Sequence, residues 1–310
     1  MKTTTSAQPS PVAPPASAVN LSGYENNPFL VPIDGIRALF SRAQAIAITI
    51  IVLLAIGMVG HLISTVIQAI YSPEYQSHYS HGEAAPTPVT AMPTNEEIAK
   101  QIQSVPPEVW AILAIVVSVG LLVLIVTWLV GVYVKSVLDY TSARVAKNHT
   151  VAFAEAARGG LQRFGGYLWL NILVLVKVFL WSLLFIIPGI IMAVRYSLAG
   201  LSFYDKKLSA SAAIKDSLAL TKGAWLTTFA SSTLLNILSF GIADLLVTSG
   251  ARIRLYAQFD PLTKKGEAKP AAHILSWLVP IGIVSIVVLC LLFFALILLI
   301  IVGPHSHTVN

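Results

Sequence analysis

The sequence predicts an all-α protein: a polytopic integral membrane bundle with two hairpins broken at Pro or Gly and with amphipathic cytoplasmic helices. Hydrophobic residues make up 56% of the 310 residues and charged residues only 11%, whereas a soluble domain carries about 25% charged residues. Apolar stretches long enough to cross a bilayer recur along the chain, and Lys and Arg collect in alternate connecting segments. These observations argue against a soluble enzyme.

Residues 1–28 have the composition of a disordered cytoplasmic tail. They are rich in Pro, Ser, Thr and Ala, and they lack the apolar region of a signal peptide. They contain too little apolar surface to fold by themselves. The multi-pass domain is predicted over 29–303, and a short C-terminal tail over 304–310.

Two stretches, at about 44–70 and 109–134, are each predicted to cross the membrane once, because a span needs about 20 residues. The segment between them contains several Glu and Pro residues but only one basic residue, Lys100, which indicates an outer loop. The segment 135–166 contains five Lys and Arg residues. Basic residues are retained in the cytoplasm, so the N-terminus is predicted to lie inside.

The stretches at 167–203 and 223–259 are too long for single spans. Each would extend roughly 55 Å as one helix at 1.5 Å per residue, whereas the hydrocarbon core is about 30 Å thick. Pro188-Gly189 interrupts the first and Ser239-Phe240-Gly241 the second, and both are turn signals. Each stretch is therefore predicted to be a hairpin, and one further span follows. The predicted helices cover 167–187, 190–203, 223–239, 242–259 and 274–302.

The distribution of charge favours two hairpins. With two hairpins, 17 Lys and Arg residues lie in the cytoplasm and one lies outside. If both stretches crossed once, the division would be 13 to 5, and if only the first were a hairpin it would be 12 to 6. The rule that basic residues stay inside prefers the first arrangement.

Two segments are predicted to be amphipathic helices on the cytoplasmic face. In 150–165, apolar residues recur at helical spacing, with Glu155, Arg158 and Gln162 on the other side. Segment 209–222 begins with serines suited to capping a helix N-terminus and has a weaker apolar stripe.

Segment 157–225 contains the successive motifs ARGGLQRFG, FIIPGII, VRYSLA and AIKDSLALTKGAW. This order resembles the YciC-like bacterial inner-membrane proteins and the membrane domain attached to some glycerophosphodiester phosphodiesterases. Five residues fit the helix start that follows the Pro-Gly turn in that family: Ser217, Thr221, Lys222, Gly223 and Trp225. LYAQFDPL at 255–262 is similar to the end of the membrane domain. The resemblance implies a multi-helix membrane domain without the catalytic barrel, and hence no hydrolase activity. The added span at 274–302 and the short region 223–259 depart from the family pattern.

Ionisable side chains within apolar spans are costly, so each is a candidate functional residue. We expect Lys177 or Arg195 to pair with Asp244, assisted by Asn171 and Asn236, and to clamp the two hairpins together. The alternatives are a static structural pair, snorkelling of the charged group to an interface, and a substrate or proton site.

No catalytic, cofactor-binding or metal-binding residues are predicted. The sequence has no Walker-type loop, no Gly-x-Ser-x-Gly elbow and no HExxH motif. Its single cysteine, Cys290, excludes an intramolecular disulfide. The net charge of +6 indicates contact with anionic lipid headgroups at the cytoplasmic face and not with nucleic acid. Protein partners are not indicated.

The expected function is that of a non-enzymatic multi-pass protein of the bacterial cytoplasmic membrane, in envelope organisation or lipid interaction. The alternative is a small transporter or permease subunit with a polar site near Lys177 and Asp244. A third class, an enzyme acting on lipid headgroups, would need clustered polar residues at one interface. The sequence offers only Asp205, Asp216, Asp260 and their basic neighbours.

Overall fold

The computed structural model describes residues 21–80 and 106–302, and in these ranges its regular elements are all helices. The predicted tail over 1–20, the loop residues 81–105 and the C-terminal tail lie outside the described residues. The helices are α1 (Leu30–Arg42), α2 (Gln44–Ser80), α3 (Pro107–Ala146), α4 (Phe153–Gln162), α5 (Phe164–Leu184), α6 (Ile186–Arg195), α7 (Ala199–Asp205), α8 (Ala210–Leu220), α9 (Trp225–Leu238), α10 (Asp244–Lys265), a 3₁₀ turn (Ile274–Trp277) and α11 (Leu278–Val302).

Five helical stretches are long and apolar enough to cross a membrane. They are Gln44–Gln68, Glu108–Ala146, Phe164–Leu184, Ile186–Asp205 and Ile274–Leu298, the fourth being α6 and α7 in succession. The most apolar windows of the second and fifth are 0% buried, so that large side chains such as Leu121 and Leu289 face outward. Exposed apolar surface of this extent suits lipid and not water. The predicted fold class, a polytopic helical membrane bundle, is confirmed.

The chain divides into two compact parts. One contains Met1–Ile51 and Ser136–Asn310, and so includes both hairpins. The other is Val52–Lys135, which contains the more apolar portions of α2 and α3. Every contact described below lies within the first part.

The first hairpin, α5–α6, breaks at Phe185 and not at the predicted Pro188-Gly189 turn. In a continuous helix the ring of Pro188 would collide with the carbonyl group of Leu184, so α5 ends there and Phe185 is extended (φ −160°, ψ 146°). Pro188 lies in the first turn of α6, where a missing N–H group costs little. Gly189 serves close packing instead, because an added Cβ atom would collide with Ser182 of α5. The predicted helix at 190–203 is divided between α6 and α7.

The second hairpin, α9–α10, turns where the sequence predicted. Phe240 and Gly241 both have positive φ angles, of 51° and 76°, and connect the two helices. Gly241 accepts this conformation without strain. Its N–H group donates to the carbonyl of Asn236 at 2.8 Å, which closes the turn. α10 then continues to Lys265, six residues beyond the predicted end at 259.

Helix α1 was not predicted as a separate element, and it packs along α10. Its Gly35 lies against Gly250 so closely that an added Cβ atom on either residue would meet backbone atoms of the other helix. Residues 21–28, predicted as part of the disordered tail, also lie on this surface. The N–H group of Glu25 donates to Gln258 at 3.1 Å, and Tyr24 contacts the ring of Phe259. These contacts supply the burial that composition alone did not indicate.

The two predicted amphipathic helices correspond to α4 and α8. In α4 the apolar residues Phe153 and Leu161 are exposed, while Gly159 and Gly160 pack against Tyr140 and Val137 of α3. The rest of the bundle therefore packs on the small-residue face of α4, and the apolar face with Phe153 and Leu161 is exposed. Ser209 caps α8 by accepting from the N–H group of Ala212 at 3.4 Å, as predicted.

An aromatic core joins α3, α5 and α7. Tyr167 stacks on Tyr204 with ring centroids 5.4 Å apart, and Phe203 and Tyr140 meet Tyr204 edge-on. Tyr204 also forms a hydrogen bond with Ser136. This core fixes the end of α3 against the first hairpin, and thereby positions the polar groups described next.

Candidate functional site

An ion pair links α3 to α10 inside the bundle. Arg252 donates to the two carboxylate oxygens of Asp139 at 2.7 and 3.4 Å, and to the carbonyl of Ser197 at 2.8 and 2.5 Å. Tyr167 donates to Asp139 at 2.6 Å. The side chain of Asp139 is 1% exposed and that of Arg252 is 13% exposed. Because both charges are paired and hydrogen-bonded, the assembly fits a structural role.

A second charged cluster surrounds Asp260 near the end of α10. Lys147 and Lys264 donate hydrogen bonds to its carboxylate, and Lys206 lies 3.0 Å from it. Burial alone would raise the pKa of Asp260, but these three ammonium groups hold it well below its usual range. The cluster brings together the segments that follow α3 and α7 and the last turns of α10. These three segments therefore lie on one side of the bundle, as two hairpins require.

Two further side chains of this cluster, Lys206 and Tyr256, also interact with carboxylate groups. Burial alone would lower the pKa of Lys206, yet its interactions with Asp216 and Asp260 raise it. Tyr256 donates a hydrogen bond to Asp205 at 2.7 Å. The lowered pKa of Asp260 and the raised pKa of Lys206 keep both groups charged at neutral pH, which favours a permanent structural cluster over a titrating site.

A groove of about 380 Å³ lies between α6, α9 and α10. Its volume is within the range of small-molecule sites. It combines apolar residues with hydroxyl, amide and carboxylate groups. The lining residues, which define what we call the α6–α9–α10 groove, are Ile190, Ala193, Val194, Ser197, Thr228, Phe229, Ser232, Thr233, Asn236, Asp244, Thr248, Ala251, Arg252 and Leu255. Such a mixed lining suits an amphiphilic ligand.

Asn236, Asp244 and Thr248 form a hydrogen-bonded group at one end of the groove. The amide nitrogen of Asn236 donates to Asp244 Oδ1 at 2.7 Å, and the hydroxyl of Thr248 donates to the same oxygen at 2.9 Å. Asp244 is exposed, and Asn236 is half-buried. Oδ1 of Asn236 is buried without a hydrogen-bond donor in the described ranges. A polar atom in that state costs about 1–3 kcal/mol.

Two of the hydroxyl groups that line the groove have already committed their protons. Thr228 donates to the carbonyl of Ala224 at 2.9 Å, and Ser232 donates to that of Thr228 at 2.9 Å. A hydroxyl group has one proton and two acceptor lone pairs. These side chains therefore offer acceptors, and not donors, to anything that enters the groove.

The predicted polar cluster is only partly assembled. The structure brings Asn236 and Asp244 together, but it joins neither Lys177 nor Arg195 to Asp244. Lys177 is exposed on α5 and makes no side-chain hydrogen bond or ion pair in the part of the chain that the structure describes. Its long side chain allows the ammonium group to lie outside the bundle. The predicted cation–carboxylate clamp is therefore corrected to an amide–carboxylate contact within the second hairpin.

Arg195 and Asn171 lie in other surroundings. Arg195 is at the end of α6, where its side chain donates to the carbonyl of Leu218 at 3.4 Å. Its own carbonyl accepts from Ser217 at 2.7 Å, so it connects α6 to α8. Asn171 donates to the carbonyl of Tyr167, one turn earlier in α5, at 2.9 Å. Both side chains donate to backbone carbonyl groups, and neither residue lines the groove.

Sequence reasoning missed Asp139, Arg252 and the hydroxyl groups of α9. Asp139 was not singled out, and Arg252 entered only as one of the Lys and Arg residues counted in the cytoplasm. A usable signal was present in α9, where Thr228, Ser232 and Asn236 recur every four residues and so share one helix face. No group of three or more potential metal ligands occurs among the residues whose side chains the structure describes.

The fold and the groove define a class: a multi-pass helical membrane protein with a polar groove beside its second hairpin. Comparison of the chain with protein-family models, with curated proteins and with solved structures found no match.

Proposed function

We propose that this chain is a non-enzymatic multi-pass protein of the bacterial cytoplasmic membrane that binds a phospholipid in the α6–α9–α10 groove. The N-terminus and the Asp260 cluster would lie in the cytoplasm, as the distribution of Lys and Arg indicates. The resemblance to the YciC-like membrane proteins supports the same class. A role in envelope organisation through lipid interaction is consistent with it.

One observation carries this proposal: the groove has both polar and apolar walls. Asp244, Asn236 and Thr248 form a polar end, whereas Ile190 and Phe229 line the same groove. A water-soluble ligand would leave the apolar walls without a partner, and an apolar ligand would leave the carboxylate unpaired. A phospholipid satisfies both, with its headgroup at Asp244 and its chains along the apolar residues.

The test fills the groove and counts the lipids that remain bound. Thr233 lines the groove, so Thr233→Trp should block it, whereas Leu183→Trp adds the same side chain to an exposed site on α5. Native mass spectrometry of protein purified in detergent should show one retained phospholipid in wild type and in the Leu183 variant. The Thr233 variant should retain none. Equal retention by all three proteins would refute lipid binding in this groove.

The second candidate is a small transporter or permease subunit, and the polar lining around Asp244 favours it. Broken helices that line a polar cavity occur in transporters. Against it, the groove does not include Lys177, which the transport hypothesis placed at the same site. A transport assay in proteoliposomes distinguishes the two candidates. A transporter should move a polar solute or flip labelled lipid, and this rate should fall in the Thr233→Trp variant. A binding protein should show no transport in either form.

A further inference from the structure

We infer that the polar end of the α6–α9–α10 groove is built for a primary ammonium group, so that its ligand is an aminophospholipid such as phosphatidylethanolamine. This inference rests on the proposed function and specifies the headgroup. It depends on which groups in the groove are charged and on which hydrogen-bonding capacity remains unused.

The charge available in the groove is negative. Arg252 lines the groove, but Asp139 and the carbonyl of Ser197 already occupy its guanidinium group. Asp244 has no cationic partner within the described residues, and its contacts are the neutral groups of Asn236 and Thr248. A cation is therefore favoured at this end, and an anionic headgroup is disfavoured.

The unused hydrogen-bonding capacity consists of acceptors. The amide nitrogen of Asn236 donates to the Ser232 carbonyl at 2.8 Å as well as to Asp244, which orients the amide and leaves Oδ1 without a donor. The hydroxyl proton of Thr248 is used by Asp244. Oδ2 of Asp244 accepts no hydrogen bond from the described residues. Asn236 and Thr248 thus have no proton left to donate, and Oδ2 of the exposed Asp244 remains as an acceptor for a ligand.

A primary ammonium group complements this arrangement because it has three N–H donors and a positive charge. A quaternary ammonium group has the same charge but no N–H donor. The groove should therefore distinguish headgroups that differ only in N-methylation. Charge attraction alone would bind all of them equally.

The experiment uses a methylation series on the full chain. Native mass spectrometry would measure competition in mixed micelles between phosphatidylethanolamine, its N-methyl and N,N-dimethyl forms, phosphatidylcholine and phosphatidylglycerol, all with the same acyl chains. Wild type should retain phosphatidylethanolamine about tenfold over phosphatidylcholine, the factor expected for a hydrogen bond to a charged group. Retention should decline stepwise with each methyl group. Equal retention across the series would overturn the inference. This comparison uses the wild-type chain alone.

A pair of matched variants tests the carboxylate. Asp244→Asn keeps the shape of the side chain and should abolish the preference, whereas Glu267→Gln removes an exposed carboxylate outside the groove and should retain it. If Asp244→Asn keeps the full preference, the inference is wrong. A third result separates the two proposals. If Thr233→Trp abolishes lipid retention but wild type shows no headgroup preference, the proposed function stands and only this inference is refuted.

Soluble ethanolamine distinguishes a lipid ligand from a free amine. The assay adds soluble ethanolamine in hundredfold excess over phosphatidylethanolamine. Because the groove also has apolar walls, the soluble amine should not displace the lipid. Displacement by the soluble amine would contradict the lipid assignment.

Discussion

Arg252 of α10 donates a 2.7 Å hydrogen bond to the carboxylate of Asp139 in α3, and both side chains are largely withdrawn from the surface. Three parts of the bundle meet at this pair, because the Arg252 guanidinium also holds the carbonyl of Ser197 between α6 and α7. The pair therefore fixes the backbone of α10 on the side of the groove where Asp244 and Thr248 lie.

Loss of one charge from this pair should be strongly destabilising. Asp139→Asn leaves the Arg252 guanidinium buried without a counter-ion, and the free energy of unfolding should fall by about 3 kcal/mol. Removal of both charges, in Asp139→Asn combined with Arg252→Gln, should cost less than the sum of the single changes. Chemical unfolding in detergent measures all three. Strict additivity would show that the two side chains do not interact.

The contact between Gly35 and Gly250 predicts a steric effect. Gly35→Ala places a Cβ atom against the backbone of α10 and should lower the unfolding free energy by about 1–3 kcal/mol. Gly120→Ala is the matched control, because no atom lies within 4 Å of its added Cβ atom and alanine favours helix. Thermal denaturation compares the two variants. Equal midpoints would mean that α1 does not pack on α10 in this way.

The Asp260 cluster predicts a loss of stability in acid. Its folded-state pKa is lowered, and an unfolded aspartate has a pKa of about 3.9. The stabilisation is therefore complete above about pH 5 and is lost as the pH falls through the folded-state pKa. Asp260→Asn should be less stable than wild type at pH 7 and less sensitive to acid between about pH 5 and 2. A parallel pH series on Glu267→Gln should follow wild type. An unchanged acid profile in Asp260→Asn would contradict the paired carboxylate.

The tip of the second hairpin is predicted to contact lipid. Phe240 is 92% exposed, and its neighbours Ile237 and Leu238 are also exposed. With Cys290 replaced by Ala, a nitroxide attached at residue 240 should collide more often with oxygen than with a water-soluble nickel chelate. A nitroxide at Glu267, which is exposed after the end of α10, should show the reverse. Preferential collision of residue 240 with nickel would place the tip in water.

The proposed cytoplasmic position of the Asp260 cluster can be tested in intact cells. Cysteines at the exposed positions Lys207 and Lys265 should not react with a membrane-impermeant maleimide until the cells are permeabilised. A cysteine at Glu108, beside the predicted outer loop, should react at once. Labelling at 207 and 265 in intact cells would reverse the orientation that the basic residues predict.

The elements that the sequence predicted well are those determined by local chemistry. Length and apolarity locate five of the seven predicted spans, and Ser239-Phe240-Gly241 locates the second turn, because each depends on a few neighbouring residues. The predicted spans at 223–239 and 242–259 correspond to α9 and α10, which are not among the five described stretches that are apolar enough to cross a membrane. The exact break at Phe185 was missed because the collision caused by Pro188 falls four residues earlier, at Leu184. The proline was identified correctly, but the consequence was placed at the wrong residue.

The site was less predictable because its groups come from distant segments. Asp139 and Arg252 are 113 residues apart, and neither neighbourhood indicates the other. Lys177 was expected to pair because it lies within a span, yet a lysine can extend its ammonium group away from the bundle. Docking of α1 depends on Gly35 and Gly250, which become complementary only when the two helices touch.

The most direct test of a lipid-binding groove is an electron-microscopy map of the protein in nanodiscs that contain phosphatidylethanolamine, with a bound antibody fragment to aid alignment. We predict elongated density in the α6–α9–α10 groove, with its headgroup within hydrogen-bonding distance of Asp244 and its chains along Ile190 and Phe229. A groove closed by its own side chains, or one holding only isolated water density, would contradict the account.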